Sequence, residues 1–306
     1  MSEETPLFLA NILKKYIHAL IENINPELLP KKINLIFDSG AVNGLKGIGA
    51  ALYLHHLEKM NLLQINKISG CSIGAIIAVW YRCDCPDIIY SYMENLFSYY
   101  KKKRNFFIFE EIVTKLIHHL FLDDDMSRLN DKVYINYYDT KKSKQCVVKK
   151  FKNRKHLIHC ILRSTHIPFL TSKSYKYQDR YIDGISPYIF NNNCKNLFIR
   201  LVHFTSPLKT INIKREKNIY SRLMNGVVET NDFFINDTTT MCSYVDLKMK
   251  IQLYVRQCIV LFFIFIIERV IWIIKNIPPS LADTFLYKII TSITKTVWLH
   301  TLDVMV

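Results

Sequence analysis

Short apolar runs alternate with amphipathic stretches through the first two thirds of the chain, and the rhythm predicts strands and helices in turn. Residues 6–24 repeat apolar positions at helical spacing and stop near Asn25-Pro26. Ile33 to Phe37 and Ile65 to Ser69 are runs of strand length, each followed by a helical pattern, to about Met60 and over Ile73 to Tyr81. Pro86 to Phe121 reads as two aromatic-rich helices. Val133 to Tyr138 and Gln145 to Phe151 alternate in strand fashion, His156 to Leu162 is helical, and Leu197 to Phe204 is a further buried strand. Strands interleaved with helices of these lengths predict an α/β fold with a mainly parallel sheet. Beyond Thr210 the pattern is helical over Ser221 to Asp232 and Tyr244 to Asn276, and Pro278-Pro279 sets off a last helical stretch. The expected organisation is an N-terminal amphipathic helix (1–30), a catalytic domain (31–208) and a helical C-terminal region (209–306) that contacts membrane.

The stretch from Cys258 to Ile274 holds nine consecutive apolar residues, Ile259 to Ile267, before Glu268-Arg269 interrupts it. A membrane span needs about 20 predominantly apolar residues, and a charged pair near its centre is costly. A buried or interfacial helix is therefore expected, with a single span over 258–274 as the alternative.

Composition narrows the picture. Half of the 306 residues are apolar, enough for a sizeable core. Lys and Arg exceed Asp and Glu by 41 − 26 = 15. Lys141 to Lys155 contains eight basic residues and no acidic one, and Lys101 to Arg104 forms a second cluster. Such clusters attract phosphate on lipid or nucleic acid, or are solvated faces. No nucleic-acid motif accompanies them, so an anionic membrane surface is the expected partner and nucleic acid is not. The acidic start, Met1-Ser2-Glu3-Glu4, does not read as a secretory leader, which predicts a cytoplasmic, peripherally membrane-associated protein. The eight cysteines show no paired metal spacing; reduced thiols are expected, and no metal or cofactor.

The glycines locate the chemistry. Seven of eight fall in three short places: 40 to 49, 70 to 74, and 184. Gly70-Cys71-Ser72-Ile73-Gly74 joins a strand to a helix, the context that forces a serine hydroxyl out of the backbone as a nucleophile. Asp38 to Gly44 is a small-residue loop entering a helix, suited to backbone N–H groups approaching a substrate. Tyr181-Ile182-Asp183-Gly184 ends a short apolar run in a carboxylate and a tight turn.

These three pieces, in this order, resemble the patatin-like phospholipases. The first family motif, Asp-Gly-Gly-Gly-x-Arg/Lys-Gly, aligns with residues 38 to 44. Asp38, Gly40, Val42 and Gly44 agree with it, Ser39 and Ala41 replace glycines, and Asn43 replaces the basic residue, as in giant-virus members. Gly-x-Ser-x-Gly is matched by residues 70 to 74, and Asp-Gly-Gly/Ala by Asp183-Gly184 but not Ile185. Ser164 to Pro168 resembles the segment that precedes the family's aspartate. The resemblance implies an α/β/α fold and a Ser72–Asp183 dyad, with an oxyanion hole of N–H groups from Ser39, Gly40 and Ala41. The substrates it implies are acyl esters of phospholipids or acylglycerols. Two readings compete with it: a Ser72–Asp183–His203 triad, and a non-catalytic lipid-binding protein whose first motif has decayed.

Overall fold

The computed structural model describes residues 4–202, 210, 212–214, 216, 218–237 and 239–276. His203 and the helical stretch expected beyond Pro278-Pro279 lie outside them. The leading helix α1 (Glu4–Ile21) precedes strand β1 (Lys32–Phe37), helix α2 (Gly44–Lys59), β2 (Gln64–Gly70) and α3 (Ile73–Tyr81). Two helices, α4 (Ile88–Lys103) and α5 (Phe109–Leu120), lead to β3 (Val133–Asp139), β4 (Lys144–Val148) and α6 (Arg154–Ser164). The chain continues through the two-residue β5 (Tyr181–Ile182), β6 (Lys195–Ile199), α7 (Tyr220–Asn236), β7 (Cys242–Tyr244) and α8 (Leu247–Asn276).

The strands form one sheet in the order β4-β3-β2-β1-β6-β7, with β5 also on β3. β1, β2, β3 and β6 run parallel; β4, β5 and β7 are antiparallel additions. Side chains alternate across a strand, so each strand serves two layers. Ile33, Leu35 and Phe37 of β1 join Leu197 and Ile199 of β6 in the large core beneath α1 to α7. Ile36, Tyr134 and Phe198 face the opposite way and are covered by Met249 and Leu253 of α8. The result is a mixed α/β fold with a central sheet flanked by helices on both faces.

The boundary expected near residue 208 does not separate layers. β7 pairs with β6, from Leu197–Tyr244 to Ile199–Cys242, and α8 supplies the second face of the sheet. A strand of three residues is too short to show a period of two, which is why Tyr244, its last residue, reads as the start of the following helix. Helix α7 lies against α2 at a crossing made by glycines on both sides. A Cβ on Gly49 would collide with the Leu223 carbonyl, and one on Gly226 with the Lys46 carbonyl. Tyr53 of α2 donates to the Asn231 side chain at 2.9 Å, fixing the register of the pair.

Among the described residues no helix is long and apolar enough to cross a membrane. Helix α8 instead lies along the protein, held by two ion pairs twelve residues apart. Arg256 pairs with Asp38 at 2.6 Å, and Lys176 pairs with Glu268 at 2.6 Å. Glu268, the residue that interrupts the apolar run, is thus an anchor.

The α2–α7 crossing supplies a stability test. Gly49→Ala forces the two helices apart and is expected to cost about 1–3 kcal/mol, the usual range for overpacking. A urea titration should show a lower midpoint at unchanged slope.

Candidate active site

The site sits at the carboxyl ends of β1, β2 and β6, where open α/β sheets place their ligands. Strand β2 ends at Gly70, opposite Ile135 of β3. The chain then turns through Cys71 and Ser72 directly into α3. Ser72 has φ 55° and ψ −131°, a left-handed conformation that side chains rarely adopt and that stores about 1–3 kcal/mol. The turn is tight enough that a Cβ on Gly74 would lie 2.6 Å from the carbonyl oxygens of Phe37 and Asp38. Sequence spacing is thereby explained: the second glycine lets α3 pass over the end of β1.

Asp183 arrives by a different route. Beyond Ile135 the edge of β3 that β2 has vacated is taken by β5, with Ile182 opposite Tyr138. Running antiparallel, β5 carries the chain back along β3 toward the end of β2. Asn136 of β3 holds both arms. Its side chain donates to the Gly184 and Ser186 carbonyls, and its own carbonyl accepts from the Ser164 hydroxyl at 2.7 Å. Ser164 in turn accepts from the Ser72 N–H at 3.0 Å.

The Asp183 carboxyl group lines the same cleft as Ser72, whose hydroxyl is near enough to act on its titration. Burial pushes that carboxyl up to about 6, against the Ser72 hydroxyl, the Ile185 N–H and the charge of Arg256, which pull it down; the charge of Asp38 adds to the rise. Ile185 N–H donates to Asp183 Oδ1 at 2.8 Å and reaches it with φ 61°, strained for a β-branched side chain. A family member with glycine or alanine there avoids part of that strain.

The loop after β1 has three candidate N–H donors. Ser39 N–H is already committed to Asp38 Oδ1 at 2.8 Å. The N–H groups of Gly40 and Ala41 have no acceptor among the described residues, and both residues line the cleft beside Ser72. Ala41 has φ 42°, the left-handed region that a glycine would occupy without strain. Gly44 opens α2, and its neighbour Asn43 points away from the site: its side chain donates to the Leu201 carbonyl and accepts from Arg222 at 2.5 Å. Lys46 is also elsewhere, among Glu229, Arg222 and Glu216 on the α7 side, where burial lowers its pKa.

Two cavities meet at Ser72. One, of about 560 Å³, is bounded by the Ser39–Ala41 loop, Asp183, Ile167 and Pro168, with Ile259, Val260, Phe263 and Ile264 of α8 forming its far wall. The other is a narrow apolar slot between Val42, Leu45, Met93, Phe97, Phe106 and Phe109. His166 lines the wider cavity. Burial drives its imidazole down to about 4, so it is neutral at pH 7, and its Nε2 has no partner. No cluster of His, Cys, Asp or Glu among the described residues is arranged to hold a metal ion.

Several contributors escaped the motif reading. Asn136 had a detectable signal, a lone amide inside the apolar alternation of β3. Arg256 had none, because it lies in a stretch whose composition reads as lipid-facing. His166 stood within the segment before the aspartate, without a feature to mark it.

The cleft thus brings together a serine in a strained strand-to-helix turn, a buried carboxyl group and unpaired backbone N–H groups. Residues 35–194, just over half the chain, match the family described as patatin-like phospholipase, and the chain belongs to that family. No curated protein matches the sequence.

The raised pKa of Asp183 has a measurable sign. A folded-state value near 6 against 3.8 unfolded means that the folded chain holds a proton the unfolded chain has lost between those values. Ionised Asp183 therefore opposes folding, by nothing below pH 4 and by at most about 3 kcal/mol above pH 6. Asp183→Asn should raise unfolding stability at pH 7.5 and leave it nearly unchanged at pH 4, by chemical denaturation at both.

Proposed function

We propose that this protein is a lipid acyl hydrolase in which Ser72 is the nucleophile and Asp183 its general base. Family membership supports acyl-ester hydrolysis of lipids; the dyad assignment is supported by Ser72 in its strained turn and by the Asp183 carboxyl group in the same cleft. Ser72 Oγ attacks the ester carbonyl carbon as its proton passes to Asp183. The tetrahedral oxyanion is stabilised by the Gly40 and Ala41 N–H groups and by the amino end of α3. Collapse breaks the ester C–O bond, and the departing alkoxide takes the proton from Asp183. Water, deprotonated by Asp183, then attacks the acyl-serine, releasing the fatty acid and returning the proton to Ser72. A carboxyl group with a pKa near 6 suits this exchange, being mostly ionised at pH 7 yet basic enough to accept a proton.

The apolar lining of both cavities favours acyl chains over polar acyl donors. The delivery surface is α8. Ile251, Tyr254, Phe262, Phe263, Phe265, Trp272 and Ile273 are each at least half exposed along it, more apolar surface than an isolated helix normally shows to water. With a net charge of +15, an anionic bilayer surface is the partner this helix fits.

A fluorophosphonate probe should label the wild type and fail to label Ser72→Ala, with Asp183→Asn labelled at least a hundredfold more slowly. The labelling rate should rise with pH through about 6 and then level. Full labelling of Ser72→Ala would overturn the assignment. For the surface, Phe262→Asp with Phe265→Asp should reduce co-sedimentation with phosphatidylglycerol vesicles tenfold or more; unchanged sedimentation would remove α8 from the interface.

A further inference from the structure

On the α8 face of the sheet, β1 and β6 lie side by side in parallel register, with Phe37 opposite Ile199. The residues that follow, Asp38 and Arg200, continue that pairing one step past the strands. β1 connects toward β2 on one side while β6 lies on the other, so the strand order reverses here. In open α/β sheets this is the crevice that takes a ligand. It is open in this protein: a cavity of about 480 Å³ lies between Asp38, Phe198 and Arg200 on the sheet and Gln252 and Arg256 on α8. Val202 and Arg256 border both this cavity and the one that holds Ser72, so the two are neighbours.

Charge in this cavity does not balance. Asp38 is fully buried, and its carboxylate is saturated by Arg256 Nη1 at 2.9 Å, Arg256 Nη2 at 2.6 Å and the Ser39 N–H. That pair cancels. Arg200 is half-buried and has no ion pair or side-chain hydrogen bond among the described residues. Arg256 also keeps a buried Nε–H with no acceptor. One net positive charge and a set of unpaired guanidinium N–H groups thus line a pocket adjacent to the one that holds the nucleophile. Guanidinium groups match the oxygens of a phosphate, and a cation left half-buried without an anion is unfavourable.

We propose that this crevice is a subsite for the phosphodiester of a phospholipid head group, held by Arg200 and by the outer edge of Arg256. The proposal rests on the acyl-hydrolase reading above and gives it a substrate class. Ser72 stands at the end of β2 and Arg200 at the end of β6, two strand spacings or about 10 Å apart. An arginine side chain crosses much of that distance, which leaves the ester carbonyl at Ser72 and the phosphate at Arg200 within one glycerol backbone. A phosphodiester carries the single negative charge the pocket lacks. A neutral acylglycerol occupies the same cleft and leaves Arg200 unpaired, so the selectivity is electrostatic.

The test compares kcat/KM for dihexanoyl-phosphatidylglycerol and for dihexanoylglycerol. Arg200→Met should lower the ratio of the first to the second at least tenfold, and Arg200→Lys should restore part of it. Parallel loss on both substrates, or a ratio within twofold of wild type, overturns the subsite. A second arm needs no turnover: calorimetric binding to Ser72→Ala and to Ser72→Ala with Arg200→Met. Dihexanoyl-phosphatidylglycerol should bind at least tenfold more weakly to the double variant. Inorganic phosphate binding to Ser72→Ala as tightly as the lipid would mark a free-phosphate site and overturn the head-group assignment. Wild type that hydrolyses neither lipid would sink the hydrolase reading, while the calorimetric arm would still decide the subsite.

Discussion

The whole site depends on how one edge of β3 is shared. β2 occupies it as far as Ile135 and then leaves for α3; β5 takes the remainder from the opposite direction. Two segments more than a hundred residues apart therefore end at the same point, one delivering a hydroxyl and the other a carboxyl group. A sheet that let β2 run two residues further would have no room for Asp183. The strain at Ser72 and at Ile185 follows from the same constraint, since both chains must turn abruptly where they meet. Asn136 stabilises the junction by bonding to each side, which is why an amide is tolerated inside a buried strand.

The fold class and the sharp turn at Ser72 were legible in the sequence because each follows from local rules. Apolar runs of strand length separated by helical spacing give the α/β alternation, and Gly70, Ser72 and Gly74 make sense only in a turn too close for side chains. The substitutions in the first loop were also informative. Ala41 does adopt a positive φ, as a residue standing in a glycine position would, and it still presents an N–H to the cleft.

What the sequence hid was long-range. β7 is three residues long and owes its strand state to the open edge of β6, not to its own pattern. Arg256 and Asp38 are 218 positions apart, and nothing local to either marks the pairing. Asn43, which stands where a basic residue is expected, is held by Arg222 of α7, a guanidinium already paired with Glu216.

The Arg256–Asp38 pair also sets where this polypeptide can be divided. The stretch that bears the family likeness ends at residue 194, immediately before β6 and short of β7 and α8. Expressed alone, it would strip the Asp38 carboxylate of its counter-charge and lay bare the sheet face that Met249 and Leu253 cover. Losing that ion pair together with the apolar cover of α8 removes stability that a marginally stable domain does not have to spare. The homologous segment is thus a region of shared ancestry rather than an autonomous folding unit.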